Sequence, residues 1–290
     1  MPLQNPHRRK TKKQVAVVVP LSNRKEVLPE EEISLTHLEH YLGRFDKYLV
    51  APASLDVNYF TGFGVKRFSD IYFGSVKAHS RLMLSPAFYE EFSEYKYILT
   101  YHLDALVFSD QLLEWCETDL DFIGAPRLAN SDRPWVVGNG GFALRKVESF
   151  LRVLYSTEYA VDPDVYWQRF CAGTPTYLHY LNLPRKYLKR LKIFNSIQRD
   201  INLCMQADAH FEDIFISENA VKYYPEFKIA PLDVALRFAF DEVPRLCFEM
   251  NNYRLPFGCH AWFKSDREFW KPYLIKKDIL SPAGVGRVQR

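Results

Sequence analysis

The fold is decided by residues 15–20, which read VAVVVP. A continuous run of β-branched residues that ends at a proline is typical of a parallel strand covered on both faces. Residues 30–42 follow with apolar side chains at helical spacing and acidic residues in the first turn. Helical stretches then alternate with apolar runs, which predict further strands at residues 48–52, 65–68, 97–101, 122–124 and 142–145. This alternation predicts an α/β protein, Rossmann-like, with a mostly parallel central sheet flanked by helices.

The chain is predicted to form one domain with two loose ends. Neither a Gly/Ser-rich linker nor an internal repeat divides it. We expect a basic, flexible N-terminal tail over residues 1–14 and a single domain over residues 15–270, with a helical insertion at about 150–210. Residues 271–290 are expected to form a C-terminal tail.

Composition excludes several classes of protein. The 290 residues are 48% hydrophobic and 25% charged, which excludes a disordered chain, a collagen-like repeat and a disulfide-bonded miniprotein. A net charge of +3 is too small for a non-specific nucleic-acid binder, so we expect no nucleic-acid partner. Aromatic residues make up 16% of the chain, a density that suits pockets that stack sugars or bases.

The cysteines and the apolar runs indicate the compartment. Five cysteines are scattered without a CxxC pair, a pattern that suits a reducing environment. The basic start and the apolar run after it are similar to a signal peptide, but the run is too short and lacks a cleavage site. No apolar run approaches the roughly 18 residues that a membrane span requires. We therefore expect a cytoplasmic protein.

Two polar residues, His102 and Asp104, follow the predicted strand 97–101 where its apolar run ends. In open α/β sheets, ligands bind at the carboxyl ends of the strands. At a strand end, residues two apart point to the same side. An imidazole and a carboxylate there would bind one divalent ion, or fix a ribose and a metal-bound diphosphate. The alternative is that His102 caps the strand and Asp104 caps the next turn.

A glycine-rich turn separates two apolar runs at residues 135–142, which read WVVGNGGF. Its three glycines and Asn139 permit positive φ angles and a close approach of the backbone to a ligand. The spacing matches neither a Walker A loop nor a dinucleotide fingerprint. A purely structural β-turn is the alternative.

Two further segments carry candidate functional side chains. Glu212 and Asp213 precede an apolar run, where one of them either caps a helix or serves as a general base. His260 lies within residues 255–262, which read LPFGCHAW. It is interpreted as a metal ligand, with a simple hydrogen-bonding role as the alternative.

The order of these segments resembles that of GT-A glycosyltransferases over roughly residues 15–265. Residues 99–110, LTYHLDALVFSD, resemble the Asp-x-Asp element of those enzymes. His102 stands where the first aspartate is usual, and Asp104 matches the second, commonly the direct metal ligand. The GNGGF run resembles the segment that lines the sugar and acceptor site. The segments together also resemble a group of bacterial glycosyltransferase-like domains.

The resemblance implies roles for the remaining acidic and histidine residues. Glu212 and Asp213 resemble the acidic pair that supplies the base of inverting members, and His260 resembles the late histidine that completes the metal site. A divalent cation, Mn²⁺ or Mg²⁺, would then be held by Asp104, His260 and His102. Imidazole binds these ions less well than a second carboxylate does. The histidine at position 102, in place of the usual aspartate, is therefore expected to weaken metal binding.

The implied activity is transfer of a sugar from a nucleotide-sugar donor to a hydroxyl of a glycan or lipid-linked saccharide, in polysaccharide biosynthesis. Asp213 would take the proton from the acceptor, giving inversion. Arg24 is a candidate for phosphate contact, because guanidinium pairs with phosphate in a bidentate way. The donor- and sugar-binding residues that the resemblance implies are Pro20, Asn23, Arg24, His102, Asp104, Asn139, Gly140 and Gly141.

A segment past the middle of the chain bears on the acceptor. Residues 178–197 combine leucine, isoleucine and phenylalanine with five basic residues. One prediction from this pattern is peripheral contact with the inner face of an anionic membrane that carries a lipid-linked acceptor. The alternative is an ordinary packed helix with a basic outer face.

Two other functions stay open. A sugar-nucleotide pyrophosphorylase usually has a glycine-rich phosphate loop after its first strand, whereas residues 20–27 contain no glycine. A non-catalytic module that binds a nucleotide sugar or a carbohydrate is the second alternative, and the histidine at position 102 favours it.

Overall fold

The computed structural model describes residues 11–24, 26–127, 136–157, 162–172, 174–190, 201 and 211–275. The strands of these parts are β1 (Lys13–Pro20), β2 (Asp46–Pro52), β3 (Gly64–Phe68), β4 (Tyr95–Tyr101), β5 (Leu106–Val107), β6 (Phe122–Gly124), β7 (Pro126–Arg127), β8 (Val136–Val137), β9 (Phe142–Lys146), β10 (Ala239–Phe240) and β11 (Gly258–Cys259). A six-stranded sheet of order β3-β2-β1-β4-β9-β6 forms the centre.

Helices flank this sheet. They are α1 (Pro29–Leu42), α2 (Val76–Met83), α3 (Pro86–Glu90), α4 (Leu112–Glu117), α5 (Val147–Leu154), α6 (Pro163–Ala172), α7 (Thr176–Arg190), α8 (Glu212–Tyr223), α9 (Leu232–Phe238), α10 (Pro244–Met250), α11 (Trp262–Ser265) and α12 (Arg267–Trp270). The α/β class, with a mainly parallel central sheet between helices, is therefore confirmed.

The strand β1 lies in the middle of the sheet because both of its faces are apolar. Val17 and Val19 face a core shared with α1, α4 and α9. Ala16 and Val18 face the opposite core, shared with α2, α3, α5 and α8. Alternate residues of a strand point to opposite faces, so a continuous apolar run fills both cores at once.

Parallel pairing fixes where the strand ends meet. The strand β1 pairs in parallel with β2 and β4, and β2 pairs in parallel with β3. The strands β9 and β6 extend the sheet in antiparallel fashion beyond β4. Because β4 and β6 both pair antiparallel with β9, they run in the same direction. The carboxyl ends of five strands (β1, β2, β3, β4 and β6) thus lie on one edge, and β9 begins there.

A second, three-stranded sheet of order β10-β11-β5 stands beside this edge. The strand β11 pairs antiparallel with β5, with Cys259 opposite Leu106. This pairing brings the residues after β11 next to the residues before β5. The short ribbon of β7 and β8 precedes β9.

The predicted domain boundaries fall partly outside the described residues. Residues 1–10 and 276–290 of the two predicted tails lie outside them, as do residues 191–200 and 202–210 of the predicted helical insertion. Within the described parts of that insertion, α6 and α7 pack against each other. The strand β1 begins at Lys13, inside the predicted N-terminal tail. The Lys13 ammonium contacts the Asp46 carboxylate at 2.9 Å. The domain assignment itself stays a prediction.

None of the helices in the described parts of the chain has the length and the apolar character needed to cross a membrane.

Candidate functional site

The candidate site lies at the carboxyl edge of the central sheet. Val18 of β1 is in register with Thr100 of β4, so the two strands end at the same edge, at Pro20 and Tyr101. The loops that follow β1 and β4, the glycine turn before β9 and the residues after β11 all reach this edge. This is the position at which open α/β sheets bind their ligands.

His102, Asp104 and His260 form one cluster at this edge. One ligand atom from each lies within 4.8 Å of the others. The His260 Nε2 atom is 3.3 Å from the Asp104 Oδ1 atom, and Lys264 donates to the Asp104 Oδ2 atom at 2.6 Å. Burial opposes ionisation of Asp104, but the bond with His260 and the charges around it outweigh burial and hold the pKa of Asp104 well below its usual range.

Asp241 orients His260. Its Oδ1 atom lies 3.1 Å from the His260 Nδ1 atom, and its Oδ2 atom accepts a hydrogen bond from the Asn139 amide at 2.8 Å. Burial alone would lower the pKa of His260, but its contacts with Asp104 and Asp241 raise it to about 10. The imidazole is thus held between two carboxylates, with the Nε2 atom turned toward Asp104.

In the described parts of the chain, the half-buried His102 side chain has one ring nitrogen without a hydrogen-bond partner. Its backbone N–H donates to the Gly141 carbonyl at 2.9 Å, while its Nε2 atom is buried and has no hydrogen-bond partner among the described residues. Burial, together with the neighbouring imidazoles of His79 and His260, lowers the pKa of His102 to about 3. A neutral imidazole with an unused nitrogen beside a carboxylate is the state in which histidine binds a metal.

The residues present fit a divalent cation. The cluster offers one carboxylate and two imidazoles. The Asp241 carboxylate contacts the Nδ1 atom of His260, and a carboxylate on the second ring nitrogen is usual for a metal-bound histidine. Imidazole ligands favour Mn²⁺ or a later transition metal over Mg²⁺.

The glycine turn joins this cluster to the acidic pair on α8. A Cβ atom on Gly141 would clash with the His260 ring, and one on Gly140 would clash with the Glu212 carboxylate. Gly138 has a φ of +121°, a conformation that side chains rarely adopt. Gly140 and Gly141 therefore let the turn pass close to candidate functional side chains, which a simple structural β-turn does not require.

Glu212 and Asp213 occupy different environments. Phe211 takes the N-cap position of α8 and no side chain caps it, so neither acid is the N-cap considered as an alternative. The Glu212 Oε1 atom accepts from the buried Arg145 guanidinium at 3.1 Å, and its Oε2 atom accepts from Ser80 at 3.2 Å. Burial opposes ionisation of Glu212, but Arg145 outweighs it, and the pKa of Glu212 stays below its usual value.

Asp213 faces the turn instead. Its Oδ2 atom accepts from the Gly140 backbone N–H at 3.0 Å and lies 3.5 Å from the Arg127 guanidinium. Burial, followed by the negative charge of Glu212, raises the pKa of Asp213 to about 6. Two adjacent carboxylates whose pKa values are pushed apart are candidates for acid–base chemistry.

The segment after β1 lies at the same edge without touching the cluster. The Arg24 guanidinium pairs with Glu31 at the start of α1, 2.6 Å apart, and about half of the Arg24 side chain stays exposed. Asn23 lies against Gly74, in the loop before α2. These two residues are thus brought to the carboxyl edge but not to His102 or Asp104.

Sequence reasoning missed several residues of the site: His79, Arg127, Arg145, Asp241 and Lys264. Of these, only Arg145 has a signal in the sequence that could have identified it. It is a charged residue within an apolar strand, and a buried charge needs a partner. Asp241 directly follows β10, but a two-residue strand has no readable pattern.

Comparison with known proteins places the chain in a family. No curated protein sequence matches it. Two similar solved structures are a glycosyltransferase involved in the glycosylation of the major capsid of PBCV-1 (8% identity, 90% of this chain and 98% of that chain, TM-score 0.46) and the galactosyltransferase LgtC (12% identity, 89% of this chain and 100% of that chain, TM-score 0.48). A family profile matches residues 62–260, more than half of the sequence, and the chain therefore belongs to the family described as Protein of unknown function (DUF5672).

Proposed function

We propose that the protein is a GT-A-type glycosyltransferase that moves a sugar from a nucleotide sugar to a hydroxyl of a glycan or a lipid-linked saccharide. One observation carries the proposal. The His102–Asp104–His260 cluster and the Asp213 carboxylate flank a single glycine turn at the carboxyl edge of the sheet. Transfer to a hydroxyl needs positive charge near a leaving diphosphate and a base near the attacking oxygen.

The cluster belongs to the donor side in this proposal. Asp104, His260 and His102 would hold a divalent cation, which supplies Lewis-acid stabilisation of the diphosphate leaving group when bound. Lys264 adds a positive charge at the same place, because its exposed side chain already reaches Asp104. Arg24 and Asn23 would bind the nucleotide, and their position at the end of β1 supports this.

Asp213 is the proposed base. A pKa of about 6 leaves its carboxylate free to accept a proton near neutral pH, where general bases are most effective. Attack by the activated hydroxyl on the face opposite the leaving group inverts the anomeric centre. We assign Glu212 a positioning role, because the buried Arg145 guanidinium neutralises its carboxylate and keeps its pKa below the usual value. Asn139, Gly140 and Gly141 would contact the sugar.

The first test is the thermal stability of the protein with UDP-, GDP-, CMP- and dTDP-sugars, each with and without Mn²⁺. A donor at 100 times its Kd stabilises by about 2.7 kcal/mol, which raises the Tm by about 4 °C. We expect one nucleotide to produce this shift only with Mn²⁺. Asp104→Ala should abolish the shift, whereas Asp110→Ala, on the exposed surface a few residues away, should keep it. A shift in Asp104→Ala equal to that of the wild type would contradict the metal role.

We propose that the protein contacts an anionic membrane that carries the acceptor. On α7 the side chains of Tyr177, Tyr180, Leu181 and Tyr187 are more than half exposed, and Arg185 is exposed beside them. Tyrosine and leucine beside basic residues suit the membrane interface. Residues 191–197 of the predicted membrane segment lie outside the described residues. A cytoplasmic location at the inner face of the membrane is part of the proposal.

Liposome sedimentation at low salt tests this contact. The protein should sediment with vesicles rich in phosphatidylserine and stay in solution with neutral phosphatidylcholine vesicles, because the basic residues contribute attraction to anionic lipids. Replacing both Tyr180 and Leu181 with serine should weaken sedimentation several-fold. Failure of the wild type to sediment with anionic vesicles would refute the membrane partner.

A non-catalytic binding module is the second candidate. The observation that favours it is the double pairing of Asp104 with His260 and Lys264, which neutralises the carboxylate without a metal. Such a module would bind a nucleotide sugar without Mn²⁺ and would show no turnover.

A further inference from the structure

A cavity lies next to the three-stranded sheet, and none of His102, Asp104 and His260 lines it. It has a volume of about 670 Å³ and lies between the segment after β5, the helix α4 and the loop that joins α10 to β11. Phe257 lines this cavity, and its backbone carbonyl accepts a hydrogen bond from the Phe108 N–H. It precedes His260 by three residues, which corresponds to about 10 Å of extended strand. None of the residues proposed for catalysis or donor binding lines it.

The floor of this cavity is a rigid aromatic ring. Trp115 is half-buried. It packs edge-on against Phe238 at 5.1 Å and at a tilt of 41° against Phe257 at 6.0 Å, measured between ring centroids. Its indole N–H has no acceptor among the residues that the structure describes. A fixed ring with an available donor is the surface on which a sugar ring stacks while one of its hydroxyls is bound.

The rim of the cavity carries an arginine that lacks a counter-ion. Arg254 is exposed, and no carboxylate in the described parts of the chain pairs with its guanidinium. Arg237, also on the rim, pairs only with the exposed Asp233 of its own helix, at 3.3 Å. Glu114 is the one acidic residue in the lining, and Asp233 offsets the charge of Arg237, so Arg254 is the lining arginine whose charge is available to an anionic ligand.

The loop that presents Arg254 is held in a strained shape. Asn252 and Tyr253 have consecutive positive φ angles of 55° and 57°, which is uncommon for residues other than glycine. The buried Asn251 side chain donates to the Arg254 carbonyl at 2.8 Å and fixes the turn. The backbone at Arg254 is therefore held in a defined place beside the cavity.

We infer that this cavity is an accessory binding site for an acidic saccharide. The sugar ring would stack on Trp115, its carboxylate would pair with Arg254, and its hydroxyls would bond to the side-chain amide of Asn252, which lines the cavity. A polar lining that offers both donors and acceptors suits a polyhydroxylated ligand better than an apolar one. The site would hold a part of a glycan remote from the reacting centre.

Titration of tryptophan fluorescence in the full-length chain tests the inference, with trigalacturonate as the acidic probe and maltotriose as the neutral one. We expect saturable binding of trigalacturonate, at least tenfold tighter than that of maltotriose. Arg254→Ala should weaken binding at least tenfold, and Trp115→Phe, which preserves the ring packing, should remove most of the fluorescence change. Trp167→Phe, at a half-buried tryptophan on α6, is the matched control and should behave as the wild type.

Two results would overturn the site. One is equal affinity for the two saccharides, or none for either; the other is trigalacturonate binding that Arg254→Ala leaves unchanged. Because the readout is equilibrium binding, failure of the transferase proposal does not alter the expected result. Asp213→Asn should bind trigalacturonate as tightly as the wild type.

Discussion

Replacing Asp213 with asparagine is expected to lower kcat by 10²- to 10⁴-fold while the Kd of the donor stays unchanged. The loss is the usual contribution of a general base, since asparagine accepts the Gly140 hydrogen bond but takes no proton. The donor identified by thermal stability supplies both the transfer assay and the binding assay. Glu218→Gln, at an exposed acid on the same helix, should retain full activity.

The pH dependence of the wild type follows from the same carboxyl. Burial and the neighbouring Glu212 raise the pKa of Asp213 from 3.8 to about 6, with Arg127 and the Gly140 N–H opposing the shift. Activity should therefore rise with pH through about 6, as the base loses its proton. A profile that is flat between pH 5 and 7 would contradict this assignment.

Stability should change in the opposite direction. Folded Asp213 binds a proton more tightly than the unfolded residue does, so the free energy of unfolding falls as pH rises from about 4 to about 6. A shift of about two pKa units corresponds to at most about 3 kcal/mol. Asp213→Asn, which has no charge to bury, should then be more stable than the wild type above pH 6. A variant that loses both activity and stability would indicate a structural role instead.

Long apolar runs made the central sheet predictable. The strands β1 and β4 each fill two cores with consecutive apolar residues, so their positions follow from local sequence. The antiparallel direction of β9 did not follow, because direction depends on the path of the connecting loop. The strands β5, β10 and β11 have two residues each, too few for any periodicity to register.

The site was predictable where it lies at the end of a long strand. His102 and Asp104 stand out because polar residues interrupt an apolar run, and the structure brings His260 to them through the pairing of β11 with β5. Asp241 and Lys264 are single charges in short elements, and only tertiary contacts give them a role. The separate environments of Glu212 and Asp213 also depend on a distant residue, Arg145.

The buried Arg145–Glu212 pair should have the largest effect on stability. Arg145 is fully buried between the rings of Phe122 and Phe150, and it donates to Tyr89 as well as to Glu212. Arg145→Met leaves the Glu212 carboxylate buried without its cation, which costs about 3–5 kcal/mol. Urea unfolding followed by circular dichroism measures this loss. Arg152→Met, which removes an exposed pair with Glu148 at 2.8 Å, is the matched control and should change stability little.

The double variant separates charge from packing. Arg145→Met together with Glu212→Gln removes both charges, and the glutamine can still bond to Ser80, so at least half of the lost stability should return. A double variant as unstable as Arg145→Met alone would show that packing, not charge, accounts for the loss. Activity should not return with stability, because Arg145 also donates to the Gly140 carbonyl at 3.3 Å. Without that bond, the turn that holds Asp213 beside the His102–Asp104–His260 cluster loses one of its supports, even in a folded protein.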